Sequence, residues 1–228
     1  GSLVLAVLLG TTVATFNGLS SAELGANDPR AGGAYQFARQ LLRPVIGFVA
    51  GWLFLLAGLT ARATYALTFA AYLEPLLPTV PPRVLGLILV LSATVLNAIG
   101  VRLSARANLT LVSVNLAILV AFVVIALPVL RPDHFQPFFI GGVPGLLQAG
   151  ALLFFAFTGY ARPVTIAEEV QEPRTTLPRA VTTAIGATTI LYLGVAAVAV
   201  RALGPVRLAT VPAPLRAVMG VTGNPIGP

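Results

Sequence analysis

The sequence predicts an all-α, polytopic membrane protein with six transmembrane helices. Of its 228 residues, 57% are hydrophobic and only 9% are charged, whereas a soluble domain carries about 25% charged residues. The apolar residues gather in six blocks, each long enough to cross about 30 Å of hydrocarbon at about 1.5 Å per residue. The blocks lack the short alternating segments that membrane-spanning β-strands would show.

The six blocks follow one another with connections rich in proline and glycine. The second block is long enough to tilt in the bilayer, and the third is the shortest. In chain order they are Leu3–Leu24, Pro44–Leu73, Val84–Val101, Leu109–Leu130, Gly145–Ala167 and Ala180–Leu203. Between the first two blocks, over residues 33–43, apolar residues recur among polar ones with the spacing of one helix face. This pattern predicts a short amphipathic helix at the membrane interface.

The arginines indicate an orientation in the cell membrane. Cytoplasmic loops are enriched in basic residues. If the loop after the first block is cytoplasmic, that side holds seven arginines and the other side five. The seven are Arg30, Arg39, Arg43, Arg102, Arg106, Arg174 and Arg179, and the five are Arg83, Arg131, Arg201, Arg207 and Arg216. We therefore expect the loop after the first block to face the cytoplasm.

Several function classes are excluded by residue types. The net charge is +7, but the 14 arginines are scattered between apolar blocks without interleaved aromatic residues, so no nucleic acid partner is expected. The absence of cysteine removes disulfides, thiolate metal sites and cysteine nucleophiles. His134 is the single histidine and lies in a loop-like stretch. We expect no metal, no cofactor and no enzymatic activity.

The stretch "FFAFTGYARPVTIAEEVQEP", from Phe154 to Pro173, interrupts the fifth block. An unpaired backbone group in hydrocarbon costs several kcal/mol, so a break at Thr158 and Gly159 must face protein or a water-filled cavity. The helix before the break ends in free carbonyls, which can hold the ammonium group of a small zwitterion. The alternative is that Gly159 and Pro163 only kink a packed helix.

Arg162 lies just past this break. A charge near the middle of a membrane span costs at least about 2.5–3.5 kcal/mol, which makes such a residue a candidate for function. The alternative is a structural ion pair with an acid elsewhere in the protein.

Three segments resemble one family of transporters. "FFAFTGYARPVTIAEEVQEPRTTLPRAV" resembles the sixth-helix signature of amino acid permeases in the amino acid–polyamine–organocation superfamily. "SSAELGANDPRAGGAYQFARQLLRPVIGFVAGW" resembles the segment between the second and third helices of these permeases, and "LNAIGVRLSARAN" the segment between the fourth and fifth. The resemblance covers essentially the whole chain.

The resemblance implies a partial inverted-repeat fold built from five-helix repeats. The six blocks would be helices two to seven of about twelve, in a single transmembrane domain over residues 1–228 that is an incomplete part of a longer transporter. Residues 1–130 would be the rest of the first repeat and residues 144–228 the start of the second. The implied function is secondary active transport of amino acids or related organic cations. The implied partners are the substrate, the lipid bilayer and the missing helices of the same transporter.

The rival interpretation is a six-helix channel or a structural membrane subunit without transport activity. Such a protein would not need the "AEEVQEP" and "PRAGGAYQFAR" segments together.

The resemblance also implies substrate-binding residues around the break. The exposed carbonyls would belong to Phe155, Ala156 and Thr158. Phe157 would be an aromatic lid over the substrate, Gly159 would supply the break, and Tyr160 would lie beside it. Each aromatic side chain could instead face lipid or pack in the core.

Two further pairs of residues are implied to act in coupling and gating. Some proton-coupled relatives carry a lysine midway along the fifth helix, and counting from Asn108 places Asn115 there. An amide does not titrate, so Arg162 and Asn115 would tune the field or the coupling without a lysine switch. Glu168 and Glu169 would form a cytoplasmic gate and could pair with arginines such as Arg30 or Arg39. Alternatively, the two glutamates form a solvated helix end.

Overall fold

The computed structural model describes residues 2–99, 101–129 and 141–222. In this part of the chain the secondary structure is helical, and strands are absent from it. Six helical segments are long and apolar enough to cross a membrane. These findings confirm the prediction of an all-α, polytopic membrane protein. His134 lies outside the described residues.

Ten α-helices follow one another along the described residues. They are α1 (Ser2–Asn27), α2 (Ala34–Leu41), α3 (Pro44–Leu73), α4 (Pro82–Ile99), α5 (Val101–Ala126), α6 (Gly142–Ala156), α7 (Ala161–Thr165), α8 (Pro173–Leu203), α9 (Pro205–Thr210) and α10 (Pro214–Val221). The six candidate spans are α1, α3, α4, the Arg106–Ala126 part of α5, the Gly142–Thr165 segment that contains α6 and α7, and α8.

One clear difference from the predicted spans is at the start of α8. The apolar block begins at Ala180, whereas the helix begins at Pro173. Proline suits a first helical position because the amide it lacks would have no partner there. The amides of Thr175 and Thr176 both donate to the Glu172 carbonyl at 3.0 Å, which starts the helix. A prediction from hydropathy misses these first turns of α8, because their residues are polar and hydropathy does not detect the backbone hydrogen bonds that start the helix.

The predicted amphipathic helix over residues 33–43 is present as α2. Its Phe37 is buried, and the helix lies against the first turns of α3. Gly47 allows this close approach, because a Cβ there would lie only 2.6 Å from the Cβ of Arg39. Gly51 does the same for Tyr35, whose ring would be 3.0 Å from an added Cβ.

Helix α1 packs against both α6 and α8. Along the face that it buries, a small residue stands at every fourth position, which lets helix backbones approach closely in a membrane. These residues are Ala6, Gly10, Ala14, Gly18, Ala22 and Ala26. The interrupted span is thereby held against α1 along one side.

The remaining helices surround this group. Helix α3 packs on α2 and α4, α4 packs on α5, and α5 packs on α8. The contact between α5 and α8 contains Phe122 and Ala126 of α5 with Val198 and Ala202 of α8, and Val218 of α10 joins the same cluster.

Candidate functional site

The predicted interruption of the fifth span is present. Helix α6 ends at Ala156, a single turn of 3-10 helix covers Thr158–Tyr160, and α7 begins at Ala161. At the break, hydrogen bonds to the third residue back replace the α-helical ones. The Phe157 amide donates to the Phe154 carbonyl at 3.0 Å, and the Tyr160 amide donates to the Phe157 carbonyl at 3.4 Å.

Side-chain hydroxyls hold the last carbonyls of α6. The Thr158 hydroxyl donates to the Phe155 carbonyl at 2.8 Å. The Tyr192 hydroxyl of α8 donates to the Ala156 carbonyl at 3.4 Å, a distance at which a hydrogen bond is weak. These carbonyls lie at the negative end of the α6 dipole. An ammonium group can take the place of either hydroxyl with a stronger, charge-assisted bond.

The aromatic residues of the break point in different directions. Phe157 is only 4% exposed. Its ring packs with Val7 and Ala14 of α1 and meets Tyr192 edge-on, with the ring centroids 5.2 Å apart. Phe155 is 42% exposed. In this structure Phe157 therefore lies in the α1–α8 interface, while Phe155 faces away from it.

Gly159 does not itself end the helix, because α6 stops three residues earlier, at Ala156. Gly159 lies inside the 3-10 turn, and an added Cβ would meet nothing within 4 Å. Tyr160 is partly buried and approaches Gly18 of α1, whose added Cβ would lie 3.4 Å from the tyrosine ring. Pro163 falls in the first turn of α7, where a missing amide is tolerated.

Arg162 and Asn115 do not meet in the structure. Arg162 is exposed on α7 and makes no ion pair or hydrogen bond with any of the described residues. Asn115 is exposed on α5, whose buried contacts with α8 are at Phe122 and Ala126. Among residues 2–99, 101–129 and 141–222, no group of three histidine or acidic side chains could hold a metal ion.

The loop between α1 and α2 is attached to the end of the interrupted span. The Gly32 amide donates to the Thr165 carbonyl at 3.1 Å. The Ala31 amide donates to the Glu168 carboxylate at 3.2 Å. Gly32 and Gly33 have φ values of 121° and 52°, which favour glycine and shape the loop. Glu168 therefore binds the main chain of this loop.

The arginine of that loop has another partner. Arg30 pairs with Asp28 at 2.9 Å and not with Glu168 or Glu169. The two glutamates are exposed near the end of the span.

Sequence reasoning missed Tyr192 and the small-residue face of α1. Tyr192 is 36 positions from Ala156, and no local pattern links the two. The face of α1 had a readable signal, since alanine or glycine recurs at every fourth position from Ala6 to Ala26. In membrane helices that spacing marks a surface for close helix packing.

Comparison with known proteins identifies relatives over nearly the whole chain. An uncharacterized transporter of Mycobacterium tuberculosis is 38% identical over 223 residues, which is 97% of this chain and 50% of that protein. The branched-chain amino acid permease BcaP of Bacillus subtilis is 26% identical, over 97% of this chain and 52% of its own length. The methylthioribose transporter of Bacillus subtilis is 24% identical, over 86% and 47%.

The chain thus spans about half the length of the curated relatives that it matches. The family model for amino acid permeases matches residues 1–213. The matched region contains α1 to α9, and with them the interrupted span and the loop that binds Glu168. The chain belongs to the amino acid permease family.

Proposed function

We propose that this chain is part of a secondary active transporter that moves amino acids across the cell membrane, and that it is not an enzyme. It supplies helices two to seven of two inverted five-helix repeats, with residues 1–130 in the first repeat and residues 144–228 in the second. The match to about half of each relative supports this assignment. The loop between α1 and α2 faces the cytoplasm, and helices of the same transporter outside this chain complete the site.

One observation carries the proposal. A membrane-spanning helix stops at Ala156 and restarts at Ala161, and its last carbonyls are held by the hydroxyls of Thr158 and Tyr192. The substrate's ammonium group displaces these hydroxyls and binds the carbonyls of Phe155 and Ala156. Unwound carbonyls bind cations in this way in other transporters with discontinuous helices.

The other residues of the break shape the space around the substrate. Phe155, Thr158 and Gly159 line the open side of the break, and Tyr160 lies beside them. Phe157 closes over the substrate when α1 and α8 separate, because its ring is part of their interface in this structure.

The charged residues near the break act on the field and on the cytoplasmic end. Arg162 stays charged at any physiological pH, so it tunes the electrostatic potential without acting as a proton switch. Asn115 stands where some relatives carry a lysine, so it cannot supply a titrating group. Glu168 and Glu169 form the gate, in which Glu168 holds the loop at Ala31.

Uptake by the full-length transporter in proteoliposomes tests the proposal. Labelled amino acids are supplied with and without gradients of pH and sodium. We expect saturable uptake of at least one amino acid, which Thr158→Val changes in apparent affinity. Thr182→Val is the matched control, because Thr182 makes the same kind of 2.8 Å bond to a main-chain carbonyl of its own helix but lies on α8 near its start.

Two results would contradict the proposal. Flux that rises linearly with concentration and does not depend on Thr158 would indicate a channel. Flux of no amino acid at all would refute the transport proposal.

A further inference from the structure

The turn from α2 into α3 carries two arginines that the proposed function does not use. We call residues 35–52 the α2–α3 corner. Arg39 is in the last turn of α2, and Arg43 directly precedes α3. The Gly47 amide donates to the Arg43 carbonyl at 3.0 Å, and an added Cβ on Gly47 would lie 2.6 Å from the Cβ of Arg39. Both arginines therefore lie beside the first turn of α3, and both are exposed.

The α2–α3 corner lies where the membrane meets water. Helix α3 has 30 residues, which gives a length of about 45 Å, whereas the hydrocarbon layer is about 30 Å thick. The excess length, together with the amphipathic α2 that precedes it, places the first turns of α3 among the lipid headgroups. Trp52, the single tryptophan of the chain, is in the third turn of α3. Tryptophan is enriched at this depth in membrane proteins.

The exposed surface beside the two arginines is aromatic. Phe48 and Trp52 are 67% and 58% exposed, and they share one face of α3 because they are four positions apart. Gly51 is on the neighbouring face, where an added Cβ would lie 3.0 Å from the ring of Tyr35. The Tyr35 hydroxyl accepts a hydrogen bond from the guanidinium of Arg39 at 3.1 Å. The corner thus presents positive charge next to an exposed aromatic strip.

The positive charge of the α2–α3 corner has no acidic partner within the described residues. Asp28 is the only acidic residue between positions 28 and 52. It pairs with Arg30 at 2.9 Å, and the side-chain amide of Gln40 lies within hydrogen-bonding distance of both. Neither Arg39 nor Arg43 forms an ion pair in the same part of the chain. Their charges are therefore available to an anion that is not part of this chain.

We propose that the α2–α3 corner binds the phosphate group of an anionic phospholipid, whose acyl chains lie along Phe48 and Trp52. Guanidinium groups suit a phosphodiester because they give it charge-assisted hydrogen bonds. A lipid covers both the charge and the aromatic strip, whereas a free anion would cover the charge alone. Basic residues at a membrane surface attract anionic lipids. The inference goes beyond the proposed function and does not depend on transport, because lipid binding requires no substrate.

Melting temperatures of the purified full-length transporter in detergent test this site. They are recorded with increasing amounts of short-chain phosphatidylglycerol, of phosphatidylcholine with the same acyl chains, or of inorganic phosphate. The two lipids share the phosphodiester and differ in net charge, and inorganic phosphate lacks the acyl chains. We expect phosphatidylglycerol alone to raise the melting temperature. No rise with phosphatidylglycerol, or an equal rise with phosphatidylcholine or inorganic phosphate, would overturn the proposal.

Substitution of the arginines locates the lipid. Arg39→Gln and Arg43→Gln should each raise the phosphatidylglycerol concentration that gives half of the effect by about 5- to 10-fold, as expected for one basic residue at a membrane surface. Arg39→Lys should keep most of the affinity, because a lysine also binds phosphate through its charge. The matched control is Arg83→Gln, which removes an exposed arginine that likewise adjoins a proline at the start of a span, α4. Unchanged lipid affinity in both corner variants, or an equal loss in Arg83→Gln, would overturn the assignment.

Discussion

Replacement of Gly10 by alanine should loosen the contact that holds the interrupted span. Gly10 lies on α1 opposite the end of α6. An added Cβ would lie 3.1 Å from the amide nitrogen of Phe154, 3.3 Å from the carbonyl carbon of Leu153 and 3.4 Å from the carbonyl oxygen of Gly150. All three atoms belong to the backbone of α6, so no side chain can rotate away. The two helices must separate by a few tenths of an ångström.

The expected change in folding stability of Gly10→Ala follows from two opposing effects. Overpacking of a tight contact typically destabilises a protein by about 1–3 kcal/mol. Exchange of glycine for alanine inside a helix stabilises it by about 0.5–1 kcal/mol. Gly186→Ala on α8 isolates the second effect, because an added Cβ on Gly186 meets nothing within 4 Å. We expect Gly10→Ala to be less stable than Gly186→Ala by about 1–3 kcal/mol.

Thermal unfolding of the two purified variants measures this difference. Hydrogen exchange at the amides of α6 provides a local readout, and exchange should accelerate in Gly10→Ala alone. Equal melting temperatures and equal exchange in the two variants would refute the close packing of α1 on the interrupted span.

Three further predictions concern the break and the gate. Tyr192→Phe should alter the apparent substrate affinity in uptake assays more than folding stability, because the lost 3.4 Å hydrogen bond is weak; unchanged affinity would count against the role of the Ala156 carbonyl. Glu168→Ala should speed amide exchange in the loop at residues 28–33, and Glu169→Ala should not, because Glu168 alone accepts the loop amide among the described residues. Arg162→Ala should reduce uptake more than Arg162→Lys does, and Asn115→Ala should reduce uptake less than Arg162→Ala does. Near-normal uptake by Arg162→Ala would indicate that Arg162 has only a structural role.

The sequence predicted the elements that depend on local chemistry. Long apolar blocks gave the spans, and the amphipathic pattern gave α2. The run from Thr158 to Pro163 gave the interruption, although the helix ends before Gly159 and not at it. These features follow from hydropathy, backbone conformation and the missing amide of proline, which neighbouring residues largely determine.

The contacts that complete the site could not be read from the sequence. The bond from Tyr192 to Ala156 and the bond from Ala31 to Glu168 join residues far apart in the chain. Phe157 and Phe155 have the same side chain and nearly the same position, yet packing buries one and exposes the other. Only the arrangement of α1 and α8 around the break decides which of them enters the interface.

Substrate protection of a single cysteine at the break tests the central claim most directly. The chain contains no cysteine, so Gly159→Cys introduces one thiol into it, at a position with open space for a side chain. A Gly186→Cys variant is the control, because its position is equally open but lies on α8, outside the turn of residues 158–160. In the full-length transporter with any other cysteines removed, we expect a hydrophilic thiol reagent to label Gly159→Cys, and a transported amino acid to slow that labelling and leave the control unchanged. Labelling at position 159 that no amino acid slows, or that does not occur at all, would contradict a water-filled substrate site at the break.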